Sequence, residues 1–436
     1  MSGALPSGTG PGEAWDAPVA HRPLDATVSV PGSKSLTNRY LVLAALAAEP
    51  VTVTGGLRSR DSDLMIGALR GLGVEVDDAG DEWCVTPGPI RGGAHVDCGL
   101  AGTVMRFVPP MVLLADGPVS FDGDEGARVR PMGPLLDALR LLGATVDDDG
   151  RGTLPFTVTP PEEVPDVVEV DASSSSQFVT GLLLTAPRLD DGLTVRHTGE
   201  TLPSLPHIDM TCEALRAAGI RVDQPDERTW IVHPGEIRPG DVRVEPDLSN
   251  AGPFMAAALV AGGTVRIPGW PAVTTQPGAY YPELLTRMGA ACTLEGDVMT
   301  VVGDGTVHGI DADLSPAGEI TPTIAALCAL ADGPSRLTGI GHLRGHETDR
   351  LAAIAAEVGR VGGRCVADDD ALEFGGIPPA GLTGAAMETY HDHRMATFAA
   401  IIGLAVPDLR VVNVGTTAKT MPGFPALWRG MLGLDG

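Results

Sequence analysis

Lysine is almost missing from this chain: of its 30 basic residues, only Lys34 and Lys419 are lysine. A general bias toward arginine accounts for the depletion. It does not account for both survivors sitting in short polar loops rich in Thr and Ser. A lysine presents a compact ammonium that can trade a proton, which arginine does not, so both are candidate functional residues. Positive charge is scarce as well. With 56 acidic residues the net charge is −26, which argues against nucleic acid or an anionic membrane as partner, since both call for a positive field. The six cysteines (Cys84, Cys98, Cys212, Cys292, Cys328 and Cys365) form no C-x-x-C pair. Most lie among apolar residues, the pattern of reduced thiols in a cytosolic protein. No apolar run is long enough to span a bilayer. Met1 to Pro6 has neither a basic stretch nor an apolar core, so no signal peptide is expected. Residues 1–17, rich in Gly, Pro and Ala, read as a disordered tail.

What the chain does have is length and repetition. Its 436 residues, 43% apolar and 20% charged, suit two or more globular domains. A Leu-x-x-Leu-Gly-x-x-Val pattern recurs at Leu69–Gly73, Leu139–Gly143, Leu215–Gly219, Leu285–Gly289, Val358–Gly362 and Met431–Gly433. The glycines are spaced 70, 76, 70, 73 and 71 residues apart. A second marker, a β-type run ending in glycine, keeps the same phase at Gly55, Gly123, Gly199, Gly269, Gly339 and Gly415. Two markers in step six times indicate six copies of one unit.

Each copy reads as a short strand, a polar loop, a small-residue helix, a second strand, a second helix ending at a glycine cap, and a strand pair. In the first copy the strand is read at Ala26–Val30 and the apolar helical run at Tyr40–Ala48. The first helices are nearly uncharged, as in Met255–Val260 and Ile324–Leu330, and helices apolar on every side are buried ones. The expected fold class is α/β, with six βαβαββ-type repeats, three per domain, around buried central helices. Six loops precede those helices: Pro31–Ser35, Cys98–Thr103, Ala172–Gln177, Asp247–Gly252, Pro316–Thr321 and Tyr390–Arg394. Were the domains to face each other through these ends, up to six helix N-termini would aim at one cleft and attract anions.

The first loop, Pro31-Gly32-Ser33-Lys34-Ser35 with Asn38-Arg39, fits two readings: a capped helix start with a surface lysine, or an anion site. Near the loops lie Lys34, Arg39, Arg106, Arg130, Arg344, Arg350, Arg394 and Lys419. Any one arginine can be a surface ion pair. The set, spaced repeat by repeat, favours two-pronged recognition of carboxylate and phosphate oxygens on more than one anionic group.

These motifs, together with Ala101-Gly102-Thr103-Val104-Met105-Arg106, Arg130-Pro131-Met132, Ser175-Ser176-Gln177-Phe178, Glu347-Thr348-Asp349-Arg350, His391-Asp392-His393-Arg394-Met395-Ala396 and Thr417-Ala418-Lys419-Thr420, resemble those of the 5-enolpyruvylshikimate-3-phosphate synthase family. The resemblance runs from about residue 20 to near the C-terminus. It implies the two-domain enolpyruvyl-transferase fold, an inside-out α/β barrel, with domain I at 18–32 plus 246–436 and domain II at 33–245. It implies transfer of the enolpyruvyl group of phosphoenolpyruvate to the 5-hydroxyl of shikimate 3-phosphate in the interdomain cleft, with release of phosphate and with domain closure. No metal and no organic cofactor is implied. The expected setting is a cytoplasmic monomer in aromatic amino acid biosynthesis, with no nucleic-acid or membrane partner.

Carried over motif by motif, the resemblance gives Lys34, Glu319, Glu347 and His393 to proton transfer. Phosphoenolpyruvate would meet Lys34, Gly102, Arg130, Gln177, Arg350, Arg394 and Lys419. Shikimate 3-phosphate would meet Lys34, Ser35, Arg39, Ser175, Ser176, Gln177, Ser204, His207, Glu319, His342 and His346. His207 and His342 are equally readable as satisfied structural residues. The chain departs from the family pattern at four places: Leu100 stands where many members carry Asn, Glu319 where aspartate is usual, His346 in place of a lysine and His207 in place of a tyrosine. The sister family, UDP-N-acetylglucosamine enolpyruvyl transferase, carries a reactive cysteine on a mobile loop. The corresponding run here, Asp122–Arg128, has none. A non-catalytic anion-binding repeat protein is the other alternative, and it would not need Lys34, Glu319 and Glu347 together.

Overall fold

The computed structural model describes residues 14–202, 204–345 and 348–434. The chain forms two compact units, one of residues 1–31 and 246–436, the other of residues 32–245. The chain therefore leaves the first unit at Pro31 and re-enters it at Pro246.

Five four-stranded sheets repeat one topology, and a sixth has three strands. In the 32–245 unit, Val167–Val170 pairs parallel with Leu193–His197. That strand pairs antiparallel with Thr229–Val232, itself antiparallel to Val222–Asp226. Four other sheets have the same order. Burial alternates along the strands, as in Glu82–Thr86 and Val167–Val170. One face of each sheet is thus solvated, the pattern of an outer layer. The sixth sheet is completed differently: Ala14–Asp16 pairs antiparallel with Arg410–Val412, which runs parallel to Ala386–Met387. That strand corrects the expectation of a disordered tail through residue 17, because its backbone groups are taken up by a sheet edge; residues 1–13 lie outside the described residues.

A second difference concerns the entering strands. The strand expected at Ala26–Val30 starts earlier, at Leu24–Thr27, and pairs with Gly263–Arg266 of the fourth repeat. The first repeat takes its entering strand instead from Val242–Arg243, which runs parallel to Val53–Thr54. The cause is the crossing at residues 31–32: a strand ahead of it belongs to the unit the chain is leaving.

Inside each unit three helices pack on one another: Lys34–Ala45, Gly102–Met111 and Gln177–Thr185 in one, Leu248–Ala261, Thr321–Leu330 and His393–Gly403 in the other. Every residue of Thr321–Leu330 is buried, as its lack of charge requires. Sinking each Leu or Ile side chain contributes about 1.5–3 kcal/mol, so these helices anchor the loops in front of them. The second helices end at Gly73, Gly143, Gly219, Gly289, Gly362 and Gly433, all with φ between 66 and 112°. Only glycine takes that left-handed cap without strain, which is why the period survives in the sequence.

Candidate active site

In the 32–245 unit the first central helix begins at Lys34. Ser33 caps it, accepting the Leu36 N–H at 3.4 Å, so the loop is a capped helix start, and it also holds a lysine in a defined place. Lys34 Nζ lies 3.3 Å from Asp61 Oδ2, a carboxylate in the first turn of Arg60–Gly71 that is itself almost out of solvent. The pair holds the ammonium at the helix mouth, where a four-carbon stem would otherwise be mobile.

Arg39 faces inward. Its side chain is 1% exposed; Nε donates to Thr211 Oγ1 at 2.8 Å, Nη1 to the Ser35 carbonyl at 2.9 Å and Nη2 to the His207 carbonyl at 2.8 Å. The guanidinium also lies 5.3 Å from the Phe107 ring centre. Arg39 thus braces the Ser35 and His207 backbone and the Thr211 hydroxyl with three of its five N–H donors. Ser204, at φ 56°, precedes the Leu205–Ala217 helix that carries His207.

The second central helix starts at Gly102 with no side-chain cap. Two guanidiniums converge there. Arg106 Nη1 takes the Gly102 carbonyl at 3.3 Å, and Arg130 Nη1 approaches the Leu100 carbonyl at 3.4 Å. A Cβ placed on Gly102 would sit 2.9 Å from Arg106 Nη1 and 3.3 Å from both Arg130 Nη atoms. A side chain there would have to displace the guanidinium ends. Backbone N–H groups with two guanidiniums above them make an anion cradle. The third helix opens at Ser175–Gln177, where Ser175 Oγ accepts the Gln177 N–H at 3.3 Å.

In the other unit, side chains join the three helix starts. Ser249 Oγ donates to Glu319 Oε1, and Arg394 Nη2 lies 3.5 Å from the same oxygen. Ser249 belongs to the helix Leu248–Ala261, Glu319 to the turn Ser315–Ile320 before Thr321–Leu330, and Arg394 to His393–Gly403. An acid is thus held against a cation at a place that three helix dipoles make positive.

Arg350 and Asp392 form the most buried ion pair here, with side chains 2% and 0% exposed. Arg350 Nε donates to Asp392 Oδ2 at 2.7 Å and Nη2 to Oδ1 at 3.3 Å. Asp392 also caps the last central helix, accepting the Arg394 N–H at 2.8 Å. One carboxylate therefore holds the Arg350 guanidinium and the backbone at Arg394. His393 is nearly buried beside it, with Nδ1 3.7 Å from Asp392 Oδ1. His342 lies directly on Gly318, leaving no room for a Cβ. Burial pushes its imidazole pKa down, Arg350 adds to the effect, and Asp370 opposes it. Lys419 ends the turn Val414–Lys419, and the next residue, Thr420, offers its carbonyl to Asn250 Nδ2 at 2.9 Å. His346 and Glu347 lie outside the described residues.

Sequence reasoning missed Asp61, and quoted Ser249 and Asn250 only as part of a loop and Asp392 only as part of a motif. Asp392 had a signal, since an acid between two histidines and before an arginine is a natural cap. Asp61 had none. Among the described residues no group of three or more His, Cys, Asp or Glu could hold a metal ion.

Residues 19–428 match the family described as EPSP synthase (3-phosphoshikimate 1-carboxyvinyltransferase). The chain is 55% identical to the 3-phosphoshikimate 1-carboxyvinyltransferase of Bifidobacterium longum (strain DJO10A), over 96% of this chain and 98% of that one. It is 54% identical to the protein of the same name from Kocuria rhizophila, over 97% of each. Among solved structures, an EPSP synthase from Acinetobacter baumannii superposes with a TM-score of 0.79 at 25% identity, covering 95% of this chain and 97% of that one.

Proposed function

The chain belongs to the EPSP synthase family, and from that premise we propose that it moves the enolpyruvyl group of phosphoenolpyruvate onto the 5-hydroxyl of shikimate 3-phosphate. In the addition step the hydroxyl loses its proton to a base, its oxygen bonds to C2 of phosphoenolpyruvate, and a proton arrives at the C3 methylene. In the elimination step C3 gives up a proton and the C2–O bond to phosphate breaks. The reaction therefore needs a base, an acid, and cations for two phosphates and two carboxylates.

The observation that carries this reading is the acid–cation pair Glu319–Arg394 where three helix starts meet. A module that only bound anions gains nothing from a carboxylate in that place, whereas a transferase requires one as base. Lys34, the Gly102 N-terminus, Arg130, Gln177, Arg350, Arg394 and Lys419 are assigned to the carboxylate and phosphate of phosphoenolpyruvate. Ser35, Ser175, Ser176, Gln177, Ser204, His207, Glu319 and His342 are assigned to shikimate 3-phosphate, with Arg39 acting mainly through Ser35 and His207. His393 joins Lys34 and Glu319 as a proton-transfer group; His346 and Glu347 enter on their sequence motif. No described helix is long and apolar enough to cross a membrane, in keeping with a cytoplasmic enzyme, here taken as a monomer. The sister activity on a UDP-sugar finds no support in the thiols: Cys98, in the loop before Gly102, is buried and its pKa is pushed up to about 12, so it supplies no thiolate.

The test is phosphate release from the two substrates by the parent protein and by Lys34→Met and Glu319→Gln. Each substitution is expected to lower turnover by roughly 10²-fold or more, the scale of a positioned acid or base. Near-normal turnover of Glu319→Gln removes that residue from the chemistry.

A further inference from the structure

A glutamate side chain has several rotatable bonds, so a carboxylate that must meet one hydroxyl needs something to aim it. Glu319 sits on a short turn whose Ala317 departs from helical geometry, with φ −135° and ψ 40°. The turn alone therefore does not fix where the acid points.

The aim comes from the neighbouring helix. Ser249 is 3% exposed, and its Oγ–H donates to Glu319 Oε1. A serine in the first turn of a helix usually bonds to its own backbone. Here Asp247 already does the capping, accepting the Asn250 N–H at 3.0 Å, and Ser249 is left to reach across. Its backbone is pinned from two sides. The Tyr281 hydroxyl donates to the Ser249 carbonyl at 3.3 Å, and Gln276 Oε1 accepts the Leu248 N–H at 3.1 Å. The Tyr281 ring lies where a Cβ on residue 252 would be, so only glycine is accommodated there. Burial pushes the Tyr281 phenol pKa up, which keeps it a donor.

We propose that Ser249 is the positioning residue for the Glu319 carboxylate, holding it where it receives the proton of the acceptor hydroxyl. This rests on the reading of Glu319 as the base. In that step the O–H bond of the acceptor breaks, its proton moves to the carboxylate, and the electron pair left on oxygen forms the bond to C2 of phosphoenolpyruvate. Charged and titratable groups near Glu319 include Arg394 from the last central helix, Tyr281 beside the first, and His342 against the adjacent Gly318. Ser249 carries no charge, so removing its hydroxyl changes aim and leaves the local charge as it was.

The experiment is a double-mutant cycle on steady-state rates, with Ser249→Ala, Glu319→Gln and the pair. Ser249→Ala is expected to lower kcat about 10–100-fold, the cost of misplacing a reacting group, with KM for both substrates within about twofold of the parent. In the Glu319→Gln background the same substitution is expected to cost little more, because the group it aims is already disabled. Ser249→Cys, which keeps the volume but offers only a weak donor, is expected to reproduce the kcat loss with an unchanged melting temperature. Equal loss in both backgrounds, or a rise in KM at constant kcat, overturns the proposal while leaving Glu319 as base. Normal turnover of Glu319→Gln overturns the underlying reading instead.

Discussion

Replacing Asp392 with alanine should be among the most damaging single changes in the 246–436 segment, and its size follows from three contacts. The substitution strips the two-pronged partner from Arg350, whose side chain is 2% exposed, and leaves a guanidinium in the interior. Removing one partner of such a pair costs about 3–5 kcal/mol. The carboxylate also caps His393–Gly403 through the Arg394 N–H, a contribution of about 1 kcal/mol. The terms share one side chain and do not add fully, so about 4 kcal/mol is the working figure, a large part of the 5–15 kcal/mol typical of a folded domain. For a domain of this size it corresponds to a fall in Tm of about 8–16 °C. The assay is urea unfolding of the ligand-free protein followed by circular dichroism, with Asp392→Asn as the partner variant that keeps shape and a cap acceptor and should fall in between. An Asp392→Ala protein within about 1 kcal/mol of the parent would refute the claim that this ion pair supports the loop.

Other expectations are equally concrete. Gly102→Ala pushes Arg106 and Arg130 from their places over the helix start, so KM for phosphoenolpyruvate should rise about tenfold, or ~1.4 kcal/mol, with kcat little changed; an unchanged KM would take Arg130 out of the anion cradle. His342 has a depressed pKa when folded and about 6.5 when unfolded, so the unfolded chain binds the extra proton and stability falls as pH drops below about 6.5. Unfolding of His342→Gln measured between pH 5 and 7 should show a flatter slope, and an identical slope would contradict the burial of that ring. Of the six thiols Cys84 is exposed; Cys98, Cys212 and Cys328 are buried and Cys365 half-buried, all with pKa values pushed up to about 12, and burial also pushes up that of the half-buried Cys292. A thiol-disulfide reagent on the native protein should therefore show one fast thiol, and Cys84→Ser should abolish that phase.

What the sequence reveals of this fold is what local physics imposes. The cap glycines keep their spacing because φ near +90° admits little else, and the central helices announce burial by lacking charge. The exchange of entering strands is silent, because Leu24–Thr27 has the same alternation whichever strand it pairs with. The site shows the same division. Lys34, Arg130, Arg350 and Arg394 sit in motifs that a family resemblance exposes. The groups that aim them come from far along the chain: Ser249 lies 70 residues from Glu319, and Arg350 lies 42 from Asp392. The bonds of Arg39 are equally silent in its motif, since its partners Thr211 and His207 lie 172 and 168 residues further along the chain.

The most direct test of the account is a phosphorus NMR time course of the purified protein with equimolar shikimate 3-phosphate and phosphoenolpyruvate. The account predicts that both substrate signals fall together while inorganic phosphate and one new phosphate monoester, the enolpyruvyl derivative of shikimate 3-phosphate, rise in equal amounts. Loss of the phosphoenolpyruvate signal with shikimate 3-phosphate unchanged, or no turnover until a UDP-sugar is supplied as acceptor, would contradict it.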